Sequence, residues 1–139
     1  MPFPIVVRKL AYIISVGSLF WSIGCFTNIE GRLNERQAVA SMKAIKSAEK
    51  SFYTSNGRYG TLEELFEANL IDKFLAGGAK QGYRYQLLIK NSSYEVTAVP
   101  EQYGAAGDLS FYLNDTGIIR ARDRKGEKAD QTDAPIVEQ

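Results

Sequence analysis

Tyr83-Arg84-Tyr85-Gln86-Leu87-Leu88-Ile89-Lys90-Asn91-Ser92-Ser93-Tyr94-Glu95-Val96-Thr97-Ala98-Val99-Pro100 decides the fold. Tyr83, Tyr85, Leu87 and Ile89 alternate with Arg84, Gln86, Leu88 and Lys90, the period of a half-buried strand. Asn91-Ser92-Ser93 is turn chemistry. Tyr94, Val96 and Ala98 resume the alternation until Pro100, which lacks the amide a ladder needs. Downstream, a Gly- and Ala-rich loop (Tyr103 to Gly107) leads to Leu109, Phe111 and Leu113. Asn114-Asp115-Thr116-Gly117 then reverses the chain into Ile118-Ile119-Arg120. The spacing predicts an antiparallel meander of about four strands.

Upstream of this stretch the period is helical. Ala38, Met42, Ile45, Ala48 and Phe52 recur at the spacing of one helix face over Asn34 to Tyr53. Arg36, Lys43, Lys46 and Lys50 share another face, which suits either a solvated surface or an anionic partner. Asn56-Gly57 is a helix stop. Thr61-Leu62-Glu63-Glu64 is a capping box for a short helix expected to bury Leu62, Leu65, Phe66 and Leu70. Ala76-Gly77-Gly78-Ala79 reads as a flexible connector. The fold class is α+β: an amphipathic helix and a short helix packed on an antiparallel sheet.

Further upstream, Leu10 to Ile29 carries no charge, and Arg8 and Lys9 precede it. A basic head, an apolar core and Ser22-Ile23-Gly24-Cys25 fit a signal peptide over 1–24, cleaved so that Cys25 carries lipid. A retained transmembrane helix fits the same run, because a span needs about 20 apolar residues. Either way Arg8 and Lys9 keep the N-terminus inside, and the rest is exported and membrane-anchored. The single cysteine excludes an internal disulfide. Residues 25–33 then read as a linker and 34–122 as the globular domain. The charged, aperiodic residues 123–139 read as a disordered tail.

The 139-residue chain has a formal net charge of +1 and no histidine. Near-neutral charge gives no electrostatic footprint for nucleic acid. Without histidine, and with no nucleophile beside a base, the expectation is a protein that is not an enzyme and has no cofactor. Tyr103 and Tyr112 are candidates for an exposed aromatic interface.

Several stretches then fall in a familiar order. They are Asn34-Glu35 with Ala38 to Ile45, Tyr59-Gly60-Thr61-Leu62, Leu70-Ile71-Asp72 and Gly82-Tyr83-Arg84-Tyr85. Ala98-Val99-Pro100, Phe111-Tyr112 and Thr116-Gly117-Ile118-Ile119-Arg120 follow. Together they resemble the globular domains of type IV pilin-like and type II secretion pseudopilin-like proteins. The resemblance implies a structural or interaction protein of the bacterial envelope, with another envelope protein as partner. Because major pseudopilins bind calcium in a loop of the sheet region, it also offers Asp108, Asn114 and Asp115 as calcium candidates, and with them the alternative of a small calcium- or ligand-binding periplasmic module on the same fold. Gly24-Cys25-Phe26-Thr27-Asn28-Ile29-Glu30 echoes the family's cleavage site but places Cys after Gly, with the apolar run before the cut. Gly31 and Asn34 are expected to interrupt any helix joining that run to the domain. The soluble domain is therefore expected to be monomeric and not to form filaments.

Overall fold

A computed structural model describes the backbone of residues 4–137 and the side chains of residues 29–137. One helix, α1 (Pro4–Asn56), is followed by α2 (Leu62–Glu67) and α3 (Lys73–Ala76). The strands are β1 (Ala79–Lys80), β2 (Tyr83–Lys90), β3 (Ser93–Pro100), β4 (Leu109–Asn114) and β5 (Arg120–Asp123). They form one antiparallel sheet in the order β1-β2-β3-β4-β5. The α+β expectation and the meander hold, with a short β1 made from the expected Gly-rich connector.

The strand periodicity sets the inner face. Tyr85 pairs with Ala98, Leu87 with Val96, Val96 with Leu113 and Ala98 with Phe111. Against them α1 lays Ala38, Met42, Ile45, Ala48 and Phe52, all buried. α1 ends where Gly57 adopts φ 71° and its N–H donates to Tyr53 O at 2.7 Å. The capping box forms: Thr61 Oγ1 accepts from Glu64 N at 3.2 Å, and Glu64 Oε2 accepts from Thr61 N at 2.9 Å. In α2 only Leu65 is fully buried, while Phe66 stays 44 % exposed. Successive helical residues point about 100° apart, so Leu65 turns inward and Phe66 does not.

Two expected boundaries are corrected. The linker assigned to 25–33 is helical, part of the unbroken α1. Gly31 does not break it, because it lies buried against the loop before β4. A methyl built there would touch Gly107 Cα at 3.5 Å. The interruption that argued against assembly is therefore absent. Cys25 lies within this helix, but its side chain, and with it the expected lipidation, falls outside the described residues. Among the described residues no helix is long and apolar enough to cross a membrane. The side chains of the run from Leu10 to Cys25 fall outside them.

The tail is the second correction. Residues 124–137 pack onto the fold. Asp133 is buried; its carboxylate accepts from Arg124 Nη2 at 2.7 Å and from Asp130 N at 2.9 Å. Ala121 N donates to Ala134 O at 3.0 Å and Ile136 N to Ile119 O at 2.9 Å, covering the β5 edge. Ala129 is buried near the outer face of the sheet, where Ser110 and Tyr112 are also buried. Of the charges that read as solvated coil, Arg124 is paired with both Asp130 and Asp133.

Candidate interaction surface

A helix advances 100° per residue. Arg32, Arg36, Lys43, Lys46 and Lys50 therefore fall within about 40° of one line along α1. All are exposed. At 1.5 Å per residue the stripe runs about 27 Å. Four cations elsewhere are held by carboxylates: Arg58 by Glu64 at 2.6 Å, Lys80 by Asp72 at 2.6 Å, Lys90 by Glu95 at 2.6 Å and Arg124 by Asp133 at 2.7 Å, while Lys73, Arg84 and Lys125 stand singly on the surface. Among the described residues Arg32, Arg36, Lys46 and Lys50 form no such ion pair. Glu35 borders the stripe but is engaged elsewhere: its Oε1 accepts from Asp108 N at 2.8 Å and Leu109 N at 3.1 Å.

A cleft flanks each end. The first, of about 600 Å³, has Arg32, Arg36 and Lys43 on its rim and Val39, Phe111 and Ile136 on its floor. The second, of about 420 Å³, lies between the end of α1 and the β4–β5 turn, with Lys46, Lys50, Tyr53, Tyr59, Tyr94 and Asp115 among its walls. Its tyrosines form a ladder. Tyr53 and Tyr59 centroids are 4.8 Å apart, and Tyr59 meets Tyr94 edge-on at 4.7 Å.

Near this ladder sits Glu49, fully buried. Its Oε2 accepts the Gly60 N–H at 2.9 Å, and its Oε1 has no partner among the described residues. Burial raises its carboxyl to about 7; the Gly60 N–H opposes this and Glu64 adds to it. The signal for Glu49 was in the sequence: it stands four residues after Ile45 and three before Phe52, inside the apolar stripe.

The surface candidates separate. Lys46, Lys50 and Asp115 come together with Tyr53, Tyr59 and Tyr94, tyrosines that the aromatic count alone did not single out. Lys43 lines the other cleft. Tyr103 is 42 % exposed and donates to Asp123 Oδ2 at 3.2 Å. Tyr112 is not exposed: it is buried and donates to Glu95 Oε1 at 3.1 Å.

The calcium candidates do not converge. Asp108 precedes β4 and Asn114 ends it, so about 20 Å separates them at 3.3 Å per residue. The Asn114 side chain accepts from Thr116 N at 3.1 Å, which closes the turn. Among the described residues no group of His, Cys, Asp or Glu is arranged to hold a metal.

No protein-family model matches the chain, and no curated protein and no solved structure is significantly similar to it.

Proposed function

We propose that this chain is a pilin-like interaction protein of the bacterial envelope, exported and held at a membrane through its N-terminal segment. One observation carries the reading: a single helix runs unbroken from Pro4 to Asn56. Its second half packs on a five-stranded antiparallel sheet, and the stretch Leu10 to Ile29 in its first half has no charge. A helix with an apolar half and an amphipathic half suits a domain carried on a membrane segment. The paired and capped domain leaves the stripe and its clefts as the surface offered to a partner. The proposed role is binding rather than catalysis, a reading that the absence of histidine from the sequence supports.

Attachment has two chemistries, a lipid on Cys25 or retention of the apolar helix. The continuous helix through Gly24-Cys25 favours retention as the chain is folded, because peptidases cleave extended backbone. Fractionation of expressing cells tests the reading. The full chain is expected in the membrane pellet after a high-salt wash, and in the supernatant only after detergent. Recovery in the soluble fraction contradicts it. Fatty-acid labelling of wild type against Cys25→Ser distinguishes the attachments: label on the wild type alone assigns the lipid.

A further inference from the structure

The geometry points to an acidic amphipathic segment of a partner protein as the occupant of the α1 stripe. Its carboxylates would lie along Arg32, Arg36, Lys46 and Lys50, and its apolar side chains would enter the two flanking clefts. Charge complementarity carries the assignment. The fold pairs Arg58, Lys80, Lys90 and Arg124 internally, yet leaves these four cations, aligned and exposed, without a carboxylate among the described residues. Isolated exposed cations are ordinary. A line of them about 27 Å long is a one-sided field that attracts an extended anion.

The clefts choose among anions. Val39, Phe111 and Ile136 floor one, and Tyr53 and Tyr59 wall the other. Apolar and aromatic walls beside a cationic rim match an acidic helix with an apolar face, the helix-in-groove mode of recognition. A lipid surface fits less well. The stripe runs along the helix axis away from the apolar segment, so headgroups around that segment reach its Arg32 end alone. Nucleic acid fits less well too, since Asp115 stands in one cleft wall and Glu35 in the other.

This inference deepens the interaction-protein reading and rests on it for the existence of a partner. Its test does not depend on where the chain resides, so the two fail separately. The full chain in neutral detergent is titrated with a fluorescent amphipathic peptide of about 20 residues, long enough to span the stripe. The peptide carries Glu along one face and Leu along another. Tight, salt-sensitive binding is expected. Arg36→Gln/Lys46→Gln/Lys50→Gln should weaken it roughly tenfold or more. The charge-matched control Lys73→Gln/Arg84→Gln/Lys125→Gln should leave it nearly unchanged. Arg36→Lys/Lys46→Arg/Lys50→Arg should retain it, which separates lost charge from lost fold. Equal weakening by both neutral triples overturns the inference, as does equal binding of a scrambled peptide. Tighter binding of phosphatidylglycerol vesicles or single-stranded DNA overturns it as well. Self-association of the full chain by light scattering, abolished by the stripe triple, would assign the surface to a second copy and overturn it too.

Discussion

Glu49 is the residue on which pH acts most directly. Its carboxyl is raised from 4.5 to about 7, first by burial. Between those values the folded chain holds a proton that the unfolded chain has lost. Its contribution is therefore fully present below about pH 4.5 and disappears as pH rises through about 7, a change of roughly 3 kcal/mol. No histidine titrates in the same window. Denaturant midpoints should fall from pH 5 to pH 8 in the wild type and stay nearly level in Glu49→Gln. Parallel curves would show that Glu49 does not carry the effect. Packing gives a second contrast on the same helix. Phe52 is 7 % exposed and its ring lies under Gly60, where a methyl would meet it at 2.9 Å. Phe52→Ala should cost about 3 to 5 kcal/mol, and exposed Lys46→Ala well under 1 kcal/mol. Equal small losses by urea melting would contradict this helix phase.

At the scale of elements, some features were legible and others were not, for physical reasons. The faces of α1 and β2 were readable because each buries one side and leaves the other largely wet, and β3 keeps the same alternation although its outer side is half-buried, so the period survives in the sequence. The capping box and the Gly57 stop were readable because they are local hydrogen-bond chemistry. The tail was not. Asp133 is held by Arg124, and Ala134 to Ile136 add to the β5 edge; such pairings leave no period. Burial pushes the Asp133 carboxyl up, but the Arg124 hydrogen bond and the Asp130 amide outweigh it and leave it lowered. Its contribution is thus present above the ordinary Asp value and is lost as pH falls below it. Asp133→Ala should destabilise by about 2 kcal/mol, since it removes one of the two carboxylates on Arg124, leaving Asp130, and leaves the Asp130 amide unmet. A thermal melt at pH 7 measures this, and an unchanged midpoint would return the tail to coil. Gly31 misled for the opposite reason. Glycine weakens a helix by its propensity, yet here it sits against Gly107 with ordinary contact room for a methyl. Gly31→Ala should therefore be neutral or stabilise by up to about 1 kcal/mol. A loss above that would show that the close approach requires glycine.

At the scale of the whole molecule, the candidate site was half legible. The basic stripe could be read from spacing, because helical period alone aligns Arg36, Lys43, Lys46 and Lys50. The clefts could not, since Tyr59, Tyr94 and Asp115 reach α1 only through the turns of the sheet. What joins the domain to the uncharged run Leu10 to Ile29 is the continuity of α1, which sets whether the domain stands rigidly on the proposed membrane segment or swings on a tether. Amide hydrogen exchange on the full chain in lipid nanodiscs measures that directly. The account predicts slow exchange through Cys25 to Leu33, continuous with the protected amides of Ala38 to Phe52. Exchange at free-peptide rates across Cys25 to Leu33, with protection beginning only near Ala38, would contradict it.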